Sequence, residues 1–374
     1  MKRVVIVGGG FGGLAAAKGL SHLPAVDVTL INRFETMHFK PLLPDIISRS
    51  IPIRHMVYPI EAYRHAYGFR FVLDEVSRIE LEQGLVTAKK ETIPYDYLIM
   101  ATGSETNFYG NDPLKEKALK LDDVYDGDRI AYAVSRGGYD TFVVCGGGYT
   151  GVEVATHIRK HLQVHHQNKS VTIVEMADSI LGPVPDWMKA YTRNNLANWN
   201  IDILLETRVN GIENREVTLS DGNTFKNALL IWSAGMKAPG IVDRLDTPKE
   251  SQGRISTDAF LRFSENAYAV GNTGCYPSQG NCPRMAAQMA VRQGSHAAEN
   301  ILRSMRGQGL AAFKPVDYGF FIPMANWNSC GTFLGKKVSG SLATFLHYFV
   351  SAYRLAGAAN KLNVMRHALM SKSR

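Results

Sequence analysis

The chain is poor in cysteine, with only Cys145, Cys275, Cys282 and Cys330 in 374 residues. No two of them form a CxxC pair, which argues against a zinc ribbon and a thioredoxin-type redox pair, and no metal site is expected. A chain this long does not need disulfide staples. Long hydrophobic runs are missing as well. No stretch approaches the roughly 18 apolar residues of a spanning helix. The start, MKRVVIVGGG, carries an apolar run too short for a signal-peptide core of roughly 7–15 residues. An intracellular protein, soluble or surface-bound, is expected. Compositional bias is also absent: 45% of residues are hydrophobic and 20% charged, which excludes disorder and a fibrous repeat. The length suggests two to three domains.

Charge is the one imbalance, with 42 Lys and Arg against 34 Asp and Glu and a net +8. Such an excess admits nucleic acid, an anionic membrane or acidic small molecules as partners. Its position decides among them. Lys336, Lys337, Arg354, Lys361, Arg366, Lys372 and Arg374 all lie at the C-terminal end, where no Asp or Glu occurs. The rest of the chain is nearly neutral, so no nucleic-acid partner is expected. In the same stretch Leu342, Phe345, Leu346, Phe349, Val350 and Tyr353 recur at the spacing of one helix face. On pattern alone this is a core helix, a dimer helix or a surface-lying helix. The basic surroundings favour one lying in an anionic membrane interface.

What is present is a repeated grammar. Val4–Val7 reads as a strand, Phe11–Leu23 as a helix and Val28–Ile31 as a second strand. Phe142–Cys145, Thr150–Leu162 and Val171–Val174 repeat this βαβ order. Hairpins are expected at Ser77–Lys89 and Glu216–Phe225, around Gln83-Gly84 and Asp221-Gly222. Met285–Met305 reads as one long helix, and Ala311–Lys337 resists assignment.

Each βαβ copy carries a GxGxxG turn between strand and helix: Gly8, Gly10 and Gly13, then Gly146, Gly148 and Gly151. The first glycine allows the tight turn, the second lets backbone approach a pyrophosphate, and the third permits close helix–strand packing. Two copies in the right context point to two dinucleotide sites. Glu175 ends the second strand of the second copy. A carboxylate there accepts from ribose hydroxyls and repels a 2′-phosphate, which favours NADH over NADPH. Asn32 is its uncharged counterpart in the first copy.

These residues resemble the two-dinucleotide-binding-domain flavoproteins, from Met1 to about residue 310. The likeness extends to Tyr97-Leu-Ile-Met-Ala-Thr-Gly103, Leu230-Ile-Trp-Ser-Ala-Gly235 and Tyr268-Ala-Val-Gly-Asn272. Within that group the chain is similar to type II NADH:quinone oxidoreductases. His38-Phe-Lys-Pro-Leu-Leu43 stands where disulfide reductases carry a cysteine pair, and Ala287-Gln288-x-Ala290-x-x-Gln293-Gly294 is like their quinone-site helix. The resemblance implies an α/β fold of two Rossmann-like domains plus a C-terminal amphipathic membrane-anchoring region. It implies an FAD domain over 1–110 and 252–315, an NAD domain over 111–251 and a membrane-associating region over 316–374.

The activity it implies is NADH oxidation through non-covalent FAD and reduction of a quinone, without proton pumping, in a respiratory chain at the cytoplasmic face of the cell membrane. Gly8, Gly10, Gly13, Asn32, Thr102, Gly103, Asn272 and Ala287, at the start of the quinone-site helix, would hold FAD. Gly146, Gly148, Gly151, Glu175 and Gly235 would hold NADH. Gln288 would line the quinone pocket, and Lys40 would place a positive charge near the flavin. Glu153, in the first turn of the second glycine-turn helix, would serve quinone and proton handling; alternatively it is there for the helix dipole. Three residues depart from the family pattern: Asn32, Asn272 and Arg292 stand where acidic, Asp and Gln residues are usual. A sulfide:quinone oxidoreductase, a soluble NADH-dependent reductase of a small redox protein, and a flavin sensor remain as rivals, and a homodimer is left open. Cys275 and Cys282 would matter to the sulfide rival; Cys145 reads as packing.

Overall fold

A computed structural model describes residues 1–276, 282 and 284–372. The chain forms two compact units, one of Met1–Met37, Tyr58–Glu105 and Met236–Asp317, the other of His38–Val57, Thr106–Gly235 and Tyr318–Arg374. The segment after the second strand and the C-terminal region thus fold with the second unit, whereas the domain limits expected from the sequence put residues 38–57 in the FAD domain and the tail by itself.

In the first unit, β-branched residues build strand Lys2–Val7, which is flanked in parallel by Val26–Asn32 and Tyr97–Met100. The six-stranded sheet runs Arg262–Ser264, Ala267–Ala269, Tyr97–Met100, Lys2–Val7, Val26–Asn32, Arg70–Leu73. Its central strands are buried on both faces, which is why they read as apolar runs rather than as an alternation. Helix Phe11–Gly19 packs on helix Ala287–Met305 at very short range. A Cβ at Gly294 would lie 2.1 Å from the Gly12 carbonyl oxygen, so the contact requires glycine. The hairpin expected at Ser77–Lys89 is present as Val76–Glu80 and Leu85–Ala88, extended by Thr92–Pro94.

In the second unit, a four-stranded parallel sheet runs Asp202–Leu204, Ser170–Val174, Thr141–Cys145, Ala228–Trp232. Helix Tyr149–Val164 crosses it and buries Val152, Val154, Ala155, Ile158 and Leu162 in the core. Helix Val124–Arg136 starts on Asp123, whose carboxylate accepts from the Tyr125 and Asp126 backbone N–H groups at 2.9 and 3.1 Å. The unassigned stretch resolves into an antiparallel sheet of Gly319–Ile322, Ser329–Phe333 and Lys336–Ser339. The adjacent Phe320 and Phe321 break the apolar alternation of its first strand. Its close pairing needs glycine at 319, which has φ +103° and would put a Cβ 2.1 Å from the Thr332 carbonyl oxygen.

The chain ends in helices Gly340–Arg354 and Ala358–Lys372. Ala343, Thr344, Tyr348, Ser351 and Ala352 of the first are buried. Its other face is not: Leu342 is 59% exposed, Phe345 38%, Phe349 53% and Tyr353 74%. The apolar stripe read from the sequence therefore points outward, and the core-helix alternative fails. Leu362, Leu369 and Met370 of the last helix are exposed as well. No helix among the described residues is long and apolar enough to cross a membrane. Of the basic tail residues, Arg374 lies outside the described part.

Candidate dinucleotide sites and a buried acidic centre

The two glycine turns share one geometry. Gly8 and Gly146 have φ of +110° and +105°, and a Cβ at Gly13 or Gly151 would lie 1.9 or 1.8 Å from the carbonyl oxygen of Gly8 or Gly146. The tight turn and close packing assigned to the first and third glycines are both present. The middle glycines, Gly10 and Gly148, face open space: nothing lies within 4 Å of where a Cβ would be. They are also the N-cap residues of their helices, and neither helix has a side-chain cap or an acidic residue in its first turn. Uncapped N–H groups at a positive dipole end, beside backbone with no side chain, suit a pyrophosphate.

Around the first turn, Asn32 accepts from Gly9 N–H at 2.9 Å and donates to the Phe34 carbonyl at 2.8 Å. Glu175 does the same work in the second unit. Its two carboxylate oxygens accept from Gly147 N–H at 2.6 Å and Ala177 N–H at 2.9 Å, each keeping acceptor capacity for a hydroxyl. Both residues are therefore oriented by their own glycine turn. The Asn32 amide can still donate to a hydroxyl but offers no charge assistance.

The remaining flavin-side candidates meet within the first unit. Thr273 is fully buried, contacts the Thr102 hydroxyl at 3.1 Å and accepts from Gly103 N–H at 2.8 Å. Asn272 donates to Ser104 Oγ at 2.9 Å. Arg254, which no sequence pattern marks, is buried and donates to the carbonyls of Gly274 and Gly271, cinching the turn that carries Asn272. Burial lowers its guanidinium to a pKa of about 10. Gln293, read as part of a quinone-site motif, is buried and accepts from Gly271 N–H at 2.7 Å, so it holds that same turn.

Helix Ala287–Met305 starts without a side-chain cap, so Ala287 stands at an open positive dipole end. Gln288 donates to Asp317 at 3.0 Å, and Arg292 donates to the Lys314 carbonyl at 3.4 Å. In the second unit Gly235, with φ +85°, packs against the Tyr109 ring beside Trp232, whose indole N–H bonds the Asn107 carbonyl at 2.8 Å. Lys40 is exposed, in a short 3₁₀ turn.

Two readings need correction. Helix Tyr149–Val164 begins at Tyr149, so Glu153 sits in its second turn, not its first. The dipole falls off within the first turn, which weakens the alternative explanation for this residue. Its carboxyl is held well above the usual range by burial, with the Asp45 carboxyl adding to the shift. The second correction concerns staples. Cys275 and Cys282 are joined by a disulfide closing seven residues of chain ahead of the long helix, while Cys145 and Cys330 are free and buried. Burial pushes the Cys145 thiol up to about 12, which removes it as a nucleophile.

Asp45, Tyr348 and His157 went unnoticed in the sequence and form a buried polar centre in the second unit. Asp45, on helix Leu43–Ile47, accepts from the Tyr348 hydroxyl at 2.7 Å and lies 4.0 Å from His157 Nε2. An Asp inside the apolar run Leu42–Ile47 was the only available signal.

The features together define an oxidoreductase built on two dinucleotide-binding βαβ units. A model of the pyridine nucleotide-disulphide oxidoreductases matches residues 2–294, and the chain belongs to that family. It is 25% identical to a type II NADH:quinone oxidoreductase of Haemophilus influenzae, over 95% of this chain and 93% of that one. It is 24% identical to the demethylphylloquinone reductase NdbB of a Synechocystis, over 97% and 94%. Among solved structures it is similar to NDH2 from Plasmodium falciparum in complex with NADH, with a TM-score of 0.86 at 17% identity, covering 100% of this chain and 97% of that one. The sulfide:quinone oxidoreductase of Aquifex aeolicus shares the fold less closely, with a TM-score of 0.78 at 18% identity over 98% and 92%.

Proposed function

We propose that the protein is an FAD-dependent NADH:quinone oxidoreductase bound peripherally to a membrane. The observation that carries this is the pair of matching glycine turns, the second with a carboxylate, Glu175, oriented for an adenosine ribose. Gly8, Gly10, Gly13, Asn32, Thr102, Gly103 and Asn272 hold FAD through backbone and hydroxyl contacts, and Ala287 places a helix N-terminus at it. Gly146, Gly148, Gly151, Glu175 and Gly235 hold NADH. Bound flavin supplies hydride acceptance and return of the electron pair to a quinone, chemistry that no side chain here provides. Glu153 holds a proton for the quinone, a role suited to a carboxyl whose burial favours its protonated form. Gln288 borders the quinone, and Lys40 adds positive charge to the surface.

The outward apolar face of helix Gly340–Arg354, with its basic flanks, lies in the interface of an anionic bilayer. A lipid-soluble quinone would then meet the enzyme where it is dissolved. NADH places the membrane face on the cytoplasmic side.

The test is anaerobic. NADH is expected to bleach the bound flavin, NADPH more weakly, and added quinone to restore the colour. Bleaching by sulfide and not by NADH would replace this reading with that of a sulfide:quinone enzyme.

A further inference from the structure

Reduction of a quinone by NADH consumes one proton per turnover: NADH, H⁺ and quinone give NAD⁺ and quinol. The hydride supplies both electrons and one hydrogen, so the second proton has to be delivered from solvent. Resting on the functional reading above, we propose that Asp45, with Tyr348, His157 and Ser48, is a proton store and relay that recharges Glu153.

A row of polar groups leads inward to Asp45 within the second unit. Ser50 and Ser48 are partly exposed, and their hydroxyls lie 2.7 Å apart. Ser48 Oγ is 2.7 Å from His157 Nδ1. The other nitrogen of that ring, Nε2, faces Asp45 Oδ1 at 4.0 Å, so a proton crosses here only when the two side chains move closer. Asp45 Oδ1 takes the Tyr348 hydroxyl at 2.7 Å. Glu153 precedes His157 by four residues on the same helix, so the two share a face. Serine hydroxyl, imidazole and carboxyl each accept one proton and release another, which is what a relay requires.

The charged groups around Asp45 set its working range. Helix Tyr149–Val164 contributes Glu153, His157 and Lys160, whose buried ammonium donates to the Ser371 and Ala325 carbonyls at 2.7 and 3.3 Å. Helix Gly340–Arg354 contributes Tyr348 and His347, and the 3₁₀ turn leading into helix Leu43–Ile47 carries Lys40. Helix Val124–Arg136 packs on the other side, with Asp126 engaged by Asp122 N–H and Arg129. Burial pushes the Asp45 carboxyl up to about 7, against the lowering effect of the Tyr348 bond and of Lys160. Burial, then Lys160 and His347, hold His157 well below its ordinary value, so its neutral ring passes protons without storing charge.

The test uses the flavin-loaded enzyme and two near-isosteric variants. In Asp45→Asn, bleaching by NADH should stay within about twofold of wild type, because the hydride step needs no proton from this chain. Recovery of colour with quinone should slow at least tenfold at pH 8 and lose its inflection near pH 7. A small weak acid such as hydrazoic acid should restore the rate. Tyr348→Phe removes a bond that favours the charged carboxyl, and should move the inflection upward. In the resting enzyme, without NADH or quinone, the infrared band of a protonated carboxyl should disappear around pH 7, and this loss should be missing in Asp45→Asn. An unchanged quinone step and inflection in Asp45→Asn overturns the relay, as does slowing that no weak acid rescues. If quinone fails to restore colour even in wild type, the functional reading falls, and the infrared titration alone then decides whether Asp45 stores a proton.

Discussion

At the residue scale, the proposed preference for NADH rests on one carboxylate. Glu175 has one carboxylate oxygen held by an N–H of its own glycine loop and the other by Ala177 N–H, yet each retains a lone pair. Glu175→Gln keeps one acceptor and removes the charge. Charged hydrogen bonds are worth roughly 1.5–3 kcal/mol, so KM for NADH should rise about tenfold or more. The preference over NADPH should narrow, because repulsion of the 2′-phosphate goes with the charge. Steady-state kinetics with both nucleotides checks this; an unchanged ratio would mean that Glu175 only braces the turn. The residues proposed to hold the nucleotides stand out in the sequence because each has a local reason: a positive φ, a close approach or a strand end. Asp45, His157 and Tyr348 were not, since their meaning lies in contacts between residues as far apart as 303 positions. Gln293 was legible as a site residue, but its bond to Gly271 N–H could not be read from spacing.

At the scale of elements, strands and helices of both βαβ units were readable from periodicity, whereas their boundaries slid by a few residues. The first helix ends at Gly19 rather than Leu23, and the second begins at Tyr149. That small shift moved Glu153 out of the first turn and changed what its position means. The C-terminal sheet escaped because the adjacent Phe320 and Phe321 break the apolar alternation of its first strand and its last strand is short and basic. The tail helix was legible as amphipathic, but only the structure tells inside from outside. It also decides how membrane binding should be tested. Helices Gly340–Arg354 and Ala358–Lys372 place Ala343, Tyr348, Val364 and Ala368 in the interior, so deletion from Ser341 would unfold more than an anchor. Phe345→Ser with Phe349→Ser alters only the exposed face. Each Phe removed from an apolar interface costs on the order of 1.5–3 kcal/mol, so binding to anionic vesicles should fall at least tenfold. Bleaching by NADH in solution should be unchanged. Vesicle sedimentation measures the first and absorbance the second; undiminished sedimentation would reject the helix face as the contact.

For the whole molecule, the buried titrating groups of the second unit act on stability in opposite directions. Burial takes His347 and His161 down to about 4 from an unfolded value of 6.5. Between those values the unfolded chain binds more protons, so stability falls as the pH drops through that range. Asp45 works the other way. Its folded value of about 7 stands above an unfolded 3.8, so the folded chain binds more protons between them and stability is lost as the pH rises from 4 to 7. Each pKa unit is worth about 1.4 kcal/mol, which makes the buried Asp45 charge a liability of about 4 kcal/mol above pH 7. Asn at this position carries no charge at any pH and still accepts the Tyr348 hydroxyl. Asp45→Asn should therefore melt several degrees above wild type at pH 8, and the gain should shrink steadily to near zero at pH 4. With the carboxyl's opposing slope gone, the histidines should steepen the variant's loss of stability in acid. Melting curves at half-unit steps of pH would show both effects. A gain that is equal at pH 4 and pH 8 would mean that the folded and unfolded carboxyls titrate alike, so that Asp45 has already lost its proton in the folded protein well below pH 7, and the relay would lose the proton it is meant to exchange.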